Sequence, residues 1–151
     1  MKGSAGVFYA NQPAEPTQDR RVTVIPGRLR IIGGAWRGRR LALADEPGLR
    51  PTPDRVRETL FNWLAPLIEG SRCLDLFAGS GALGFEAASR GASQVVMIER
   101  AASAFQVLRT NRGALDADRR IAIFHAEALE WLRVTSPDPF DMVFLDPPFN
   151  A

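Results

Sequence analysis

Cysteine and histidine are nearly absent from this chain of 151 residues. Cys73 is its only cysteine and His125 its only histidine. One cysteine cannot form an intramolecular disulfide, so a fold built on a disulfide framework is excluded. Two such side chains are also too few for a histidine–cysteine metal cluster. We therefore expect no metal cofactor.

Long apolar runs are missing as well. No segment approaches the roughly 20 apolar residues that cross a bilayer. The first residues, where Lys2 is the lone basic side chain, lack the apolar core of a secretory signal. Hydrophobic residues make up 46% and charged residues 24% of the chain, which is ordinary for a globular protein. We expect a cytoplasmic, monomeric protein with one core.

Lysine is scarce, because Lys2 is the only one and arginine supplies the remaining positive charge. The arginines are unevenly placed. Residues 20–57 contain ten arginines and three acids, whereas residues 58–151 contain eight arginines and twelve acids. A basic arm beside a mildly acidic domain predicts a polyanionic partner such as nucleic acid. The alternative is a solvated basic face in a protein that prefers arginine.

Three regions follow one another along the chain. Residues 1–27 have no sustained periodicity and are interpreted as a flexible leader. Residues 28–70 open with two short strands, Leu29–Ile32 and Leu41–Leu43, which flank a glycine-containing turn and predict a basic β-hairpin. Residues 71–151 alternate apolar strand patterns with helical ones.

A helix is predicted between the hairpin and the alternating region. Thr52-Pro53 suits a helix start, with the threonine as N-cap and the proline at the first helical position. Val56, Leu60 and Leu64 recur at four-residue spacing and predict its buried face.

The alternating region predicts a Rossmann-like α/β fold. Strands are predicted at Cys73–Phe77, Val95–Glu99, Ile121–His125 and Phe140–Leu145, and helices at 81–90, 101–115 and 128–134. Short connections between alternating elements predict a doubly wound, mostly parallel sheet. The last strand would be a bare hydrophobic edge. We therefore expect that the natural protein continues and that C-terminal strands are missing from this chain.

A glycine-rich turn follows the first of these strands. Gly79, Gly81 and Gly84 form G-x-G-x-x-G, and Glu99 ends the next strand. Alone, this pattern fits a dinucleotide or any adenosine ligand whose ribose hydroxyls bind the acid. Asp75, just before the turn, would repel a pyrophosphate but attract an ammonium group. A ligand with adenosine at one end and a zwitterion at the other is S-adenosylmethionine.

The last strand ends in Asp146-Pro147-Pro148-Phe149. Prolines lack an N–H group, so strand pairing must stop there. The result is a stiff rim with carbonyl acceptors, one carboxylate and an aromatic face. Such a rim suits the exocyclic amino group of a planar base.

These motifs resemble those of class I S-adenosylmethionine-dependent methyltransferases. The matching segments are Leu74–Gly84, Glu99, Glu127-Ala128 and Asp146–Phe149, and the last is similar to enzymes that methylate exocyclic amino nitrogens. Two further stretches, Arg30–Arg39 and Leu49–Asn62, closely resemble the bacterial guanine-N2 methyltransferases (RsmD type) of small-subunit (16S) rRNA.

The resemblance implies a role for each matching residue and a sheet of seven strands. The cofactor would be held by Arg50, Thr52, Asp75, Phe77, Ala78, Gly79, Ser80, Gly81, Glu99, Arg100, Glu127 and Ala128. Position 127 is more often aspartate in such enzymes. Catalysis would fall to Asp146, Pro147, Pro148 and Phe149, acting on a guanine of 16S rRNA in the small subunit or its assembly intermediate.

The basic hairpin is the predicted RNA contact. Its candidate residues are Arg30, Trp36, Arg37, Arg39 and Arg40. Trp36 could stack on a base or merely cover the hairpin. Two other tryptophans, Trp63 and Trp131, lie in helical patterns and are assigned to the core.

Other functions stay open at this point. An amino-methyltransferase could act on another RNA base or on DNA adenine. An NAD-binding oxidoreductase would use the same glycine pattern, although Asp75, the rim and the basic arm count against it. A noncatalytic RNA-binding module would bind RNA but not S-adenosylmethionine.

Overall fold

The computed structural model describes residues 22–148. Its strands are β1 (Val24–Arg30), β2 (Arg40–Ala44), β3 (Arg72–Asp75), β4 (Gln94–Glu99), β5 (Ile121–His125) and β6 (Met142–Phe144). Its helices are α1 (Asp54–Ile68), α2 (Ala82–Ser89), α3 (Ala102–Ala114) and α4 (Ala128–Val134). In this described part of the chain, no helix is both long and apolar enough to cross a membrane.

Four strands form one parallel sheet in the order β5-β4-β3-β6. The chain moves outward from β3 to β5 and then returns to pair β6 on the other side of β3. All four strands end at one edge, called here the carboxyl edge. Ligands in open α/β sheets bind at the point where the strand order reverses, so the ends of β3 and β6 mark the expected site. The predicted doubly wound α/β class is confirmed.

The two faces of the sheet are covered by different elements. Alternate residues of β3 to β5 pack under the hairpin and α1 to α3, in a cluster that includes Phe61, Phe85 and Leu108. The opposite residues of the same strands pack against α4, mainly through Trp131. Side chains of successive strand residues point to opposite faces, which is why these strands are apolar throughout. The prediction that Trp131 belongs to the core is confirmed.

Two strands of the sheet are shorter than predicted. β3 ends at Asp75 rather than at residue 77, because the chain turns toward the glycines after Leu76. β6 covers only 142–144, and Phe140 lies before it with the Arg72 guanidinium 5.0 Å above its ring. As expected, β6 lies at an edge of the described sheet, with Val143 exposed.

The hairpin is longer than predicted. β1 begins at Val24, inside the segment interpreted as a leader, and pairs antiparallel with β2. The register shifts between Ile25 and Leu29, where Pro26 cannot donate a hydrogen bond and Gly27 has a φ of 64°. The rest of the predicted leader, residues 1–21, lies outside the described residues.

The predicted face of α1 is confirmed at Leu60 and Leu64, which are partly buried and pack against the core, and it is wrong at Val56, which is 56% exposed. The buried residues of the helix are Arg57, Phe61 and Ile68. An arginine can occupy this buried row because its charge is paired with acids. Trp63 lies on the outer side at 76% exposure, so its assignment to the core is wrong as well.

The start of α1 also differs from the prediction. Pro53 is the N-cap residue, no side chain caps the helix, and Asp54 is the first helical residue. Thr52 therefore does not cap the helix and lies one residue before the N-cap residue. Its hydroxyl faces the carboxyl edge of the sheet instead.

Candidate functional site

A cavity of about 810 Å³ opens at the carboxyl edge, where β3 and β6 end side by side. Most of the site residues that were predicted from the sequence line this cavity. They are Arg50, Thr52, Asp75, Phe77, Ala78, Gly79, Ser80, Glu99, Arg100, Glu127, Ala128, Asp146, Pro147 and Pro148. Gly81 is not in the lining, because it lies buried under the turn. The volume is within the range of small-molecule and cofactor sites.

Asp75 supplies a buried carboxylate to this cavity. The residue is 1% exposed, and neither of its side-chain oxygens has a hydrogen-bond partner among the described residues. Burial raises the pKa of Asp75 to about 7, nearby carboxylates of Asp146 and Glu99 add to the shift, and backbone N–H groups at Gly84 and Phe77 oppose it. Those N–H groups face the carboxylate without completing hydrogen bonds of normal geometry. A buried carboxylate without a partner is costly unless a ligand supplies the donors.

The glycines of the turn are required by shape. Gly79 and Gly81 have φ values of 55° and 84°, which side-chain-bearing residues rarely adopt. A Cβ on Gly81 would lie 2.5 Å from the Phe85 ring, and one on Gly84 would lie 2.4 Å from the Met97 methyl group. The turn therefore delivers the N-terminus of α2 to the cavity and packs that helix closely on β4. Helix N-termini favour anionic groups.

Glu99 ties the ends of β3 and β4 together. One carboxylate oxygen accepts the Gly79 N–H and the other accepts the Ala101 N–H, each at 2.8 Å. Each oxygen keeps a second lone pair for a ligand hydroxyl. The side chain is thus held in one orientation at the cavity wall before any ligand binds.

Glu127 has a structural role that the sequence analysis did not foresee. It is the N-cap of α4, and its carboxylate accepts the N–H groups of Leu129 and Glu130 at 3.2 and 2.9 Å. These hydrogen bonds lower the pKa of Glu127. The carboxylate is therefore already engaged, while the neighbouring Ala128 also lines the cavity.

The loop between β2 and α1 forms the opposite wall. Glu46 accepts a hydrogen bond from Ser103 on α3, and Leu49 packs between β2 and α3. At the other end of the loop, Thr52 Oγ1 donates to Asp146 Oδ2 at 3.4 Å. The loop thus brings the N-terminal region into contact with the rim after β6.

Part of this lining was not predicted from the sequence. The additional residues are Glu46, Pro47, Gly48, Leu49, Pro53, Leu76, Ala82, Leu83, Ile98, Ala101, Ala104, Ala126 and Leu129. Most are apolar and have no individual chemical signal. The Pro47-Gly48 pair was a visible loop signal, but its place over the cavity depends on how β2 packs on α3.

The rim itself is exposed. Asp146, Pro147 and Pro148 all face solvent at the mouth of the cavity. Phe149 lies outside the described residues. Asp146 and the buried Asp75 therefore line the same cavity, Asp146 from its exposed side.

None of the predicted RNA residues is part of the cavity lining. Ala35 in the hairpin turn donates to the Ser89 carbonyl at 2.7 Å, and Ser89 is the last residue of α2. Because α2 runs back from the carboxyl edge, this turn lies toward the opposite edge. Trp36 is partly buried there, with the Arg120 guanidinium 4.9 Å above its ring. That packing favours the interpretation in which Trp36 covers the hairpin.

The hairpin arginines differ in their surroundings. Arg30 pairs with Asp54 at 3.3 Å, and Arg39 donates to the Ala114 carbonyl at 3.1 Å. Arg37 is exposed, and among the described residues its side chain has no polar partner. Arg30 and Arg40 are directly opposite each other in the hairpin. Like charges in that position are destabilising, so an anion between or beside them would relieve repulsion.

Comparisons with known proteins agree with this architecture. The family model described as conserved hypothetical protein 95 matches residues 29–151. The chain belongs to this family. Ribosomal RNA small subunit methyltransferase D of Escherichia coli strain K12 is 52% identical over 82% of this chain, and the protein of the same name from Haemophilus influenzae is 49% identical over 82%.

The fold match is also close. The solved structure of yhhF from Escherichia coli, described as a candidate methyltransferase, superposes with a TM-score of 0.73 at 48% identity and covers 80% of this chain and 64% of its own. This family member therefore has the class I methyltransferase fold. The chain covers 62% of the Escherichia coli K12 relative and 65% of the Haemophilus influenzae one, less than two thirds of either.

Proposed function

We propose that this protein transfers a methyl group from S-adenosylmethionine to the exocyclic N2 of a guanine in 16S rRNA of the small ribosomal subunit. The observation that carries the proposal is the pairing, in one cavity, of an unpartnered buried carboxylate at Asp75 with the Asp146-Pro147-Pro148 rim. The first suits a zwitterionic cofactor, and the second suits an amino group on a base. Relatives named as small-subunit rRNA methyltransferases support the substrate class.

The residues present fit S-adenosylmethionine. Asp75 lacks the donors that its buried carboxylate needs, and the ammonium group of an amino acid would supply them. The N-terminus of α2 offers N–H groups to the carboxylate of the same ligand. A pyrophosphate would place negative charge against Asp75 instead. This contrast favours S-adenosylmethionine over NAD.

The adenosine end has its own contacts at the ends of β4 and β5. Glu99 would accept the ribose hydroxyls with the lone pairs that its backbone contacts leave free. The Ala128 backbone would receive the adenine, next to the capped carboxylate of Glu127. The cofactor, when bound, supplies an electrophilic methyl group on a sulfonium sulfur.

The rim would orient the base. The Asp146 carboxylate and the Pro147 carbonyl would accept the two N–H bonds of the guanine amino group, which directs the nitrogen lone pair into the cavity. Orientation of this kind is the main contribution that we assign to the chain. The target base must leave its stack to reach the rim. Phe149 would stack on it, a role proposed from the sequence.

Calorimetry tests the cofactor assignment. We expect S-adenosylmethionine and its demethylated product to bind and NAD to show no heat. Glu99→Ala should weaken cofactor binding about tenfold to a hundredfold, because a hydrogen bond to a charged group contributes about 1.5–3 kcal/mol. Glu58→Ala, an exposed acid on α1, is the matched control. Binding of NAD in place of S-adenosylmethionine would refute the proposal.

A further inference from the structure

We propose that Glu86 is a positioning residue for the catalytic rim and that it acts through a charged network joining α2 to the start of α1. The inference rests on the proposed function, since it explains how Asp146 is held. It concerns side chains that lie outside the cavity lining and would touch neither cofactor nor base.

Glu86 is an unusual residue for its position. All eight residues of α2 are buried, and Glu86, the only charged one, is 0% exposed. Its carboxylate accepts the N–H groups of Ile32 and Gly33, each at 2.9 Å, and the Arg90 Nε–H at 2.8 Å. One side chain therefore fixes the hairpin to the helix that begins at the glycine turn.

Arg57 extends the network to α1. It is 1% exposed, and its guanidinium lies 2.7 Å from an Asp54 oxygen and 3.8 Å from a Glu86 oxygen. Arg90 also pairs with Glu86, and Arg30 pairs with Asp54, so three arginines share these two acids. A buried ion pair adds little stability compared with apolar side chains of the same volume. Its contribution is therefore best sought in the relative positions of α1 and α2.

The network ends close to the rim. Asp54 is the first residue of α1, and Thr52, two residues earlier, donates to the Asp146 carboxylate. A shift of the helix start relative to α2 would move this hydroxyl. Because about 1 Å of misplacement can cost on the order of a hundredfold in rate, the connection from Glu86 to Asp146 matters for catalysis.

A double variant separates position from stability. Glu86→Gln alone leaves Arg57 buried with less of its compensating charge, so this variant should unfold more easily. Adding Arg57→Met removes the unpaired charge and should restore much of the stability. The double variant should still transfer methyl groups at least about tenfold more slowly in a single turnover at saturating cofactor, a larger change than the one in its cofactor affinity. Arg57→Lys, which keeps the charge, should retain most of the rate.

Amide hydrogen exchange gives a readout that needs no activity. In the double variant the amides of residues 48–50, 52 and 146 should exchange faster, while those of β4 keep their protection. If the unaltered protein does not methylate small-subunit rRNA, the proposed function is wrong. The hydrogen-exchange comparison then still tests whether Glu86 and Arg57 hold the start of α1 in place. An active protein whose double variant matches it in both rate and exchange would overturn the role of Glu86.

Discussion

The carboxyl edge of the sheet and the hairpin turn carry opposite charge in opposite surroundings. At the carboxyl edge, the Asp75 carboxylate is buried without a hydrogen-bond partner. On the hairpin, Arg37 is exposed, and other arginines bind nearby carbonyls or one exposed acid. A buried, unpartnered charge selects a ligand of one shape, whereas exposed arginines can follow a polyanion in many positions.

The two regions also lie far apart. The hairpin turn contacts the end of α2, and the cavity lies at its beginning. The eight residues of α2 separate them, a distance of roughly 12 Å. An RNA that reaches both must therefore extend over more than one nucleotide. The comparison predicts that cofactor binding and RNA binding can be damaged separately.

Removal of the rim carboxylate should have the largest effect. Asp146→Ala deletes one of two proposed acceptors for the amino group and frees Thr52 from its contact. We expect the single-turnover rate of methyl transfer to small-subunit rRNA to fall on the order of a hundredfold, with cofactor affinity nearly unchanged. Asp118→Ala, an exposed acid near the opposite edge, is the control. A near-normal rate in Asp146→Ala would exclude the proposed mechanism, and methyl on an atom other than guanine N2 would exclude the substrate.

The buried carboxylate should make stability depend on pH. Because the pKa of Asp75 is raised from 3.8 to about 7 in the fold, the folded state keeps a proton that the unfolded state loses. Stability from this group is complete below pH 4 and declines as pH rises toward 7, by at most about 4 kcal/mol. Asp75→Asn should remove that decline. Urea unfolding of both proteins at pH 5 and pH 8 measures it, and equal pH dependence in the two would contradict the assignment.

The same shift predicts how the cofactor responds to pH. An ammonium group binds the ionised form of Asp75, so affinity for S-adenosylmethionine should rise between pH 5 and pH 7, below the pH at which the ammonium group itself loses its proton. Calorimetry across this range checks the sign. An affinity that falls between pH 5 and pH 7 would show that the cofactor's ammonium group is not bound by Asp75.

Much of the fold could be predicted from the sequence because the parallel strands are continuous apolar runs between clear turns. The glycine turn, Glu99 and the rim were visible for the same reason: each is a local pattern at a strand end. What could not be predicted depends on distant partners. The buried face of α1 includes Arg57, whose charge is compensated by the acids around it. A search for periodic apolar residues does not identify an arginine as buried.

The capping role of Glu127 and the wall at Leu49 were missed for related reasons. A carboxylate before a helix can cap that helix or bind a ligand, and the sequence does not distinguish these uses. Leu49 lines the cavity because Asn111 on α3 exchanges two hydrogen bonds with the backbone of Ala42 and so holds β2 in place. Such a contact joins residues far apart in the chain and has no local pattern.

Charge reversal on the hairpin should have the smallest effect on chemistry and a distinct effect on RNA binding. In Arg37→Glu combined with Arg40→Glu, the new acid at position 40 faces Arg30 across the hairpin, so the strands gain an opposite-charge pair and should stay folded. Each lost phosphate contact should lower the slope of log affinity against log salt by roughly 0.7–0.9. Affinity for S-adenosylmethionine should not change, because neither arginine lines the cavity. Arg133→Glu, on α4 at the other face of the sheet, is the control. RNA affinity and salt slope that match the unaltered protein would leave the hairpin as a solvated basic face.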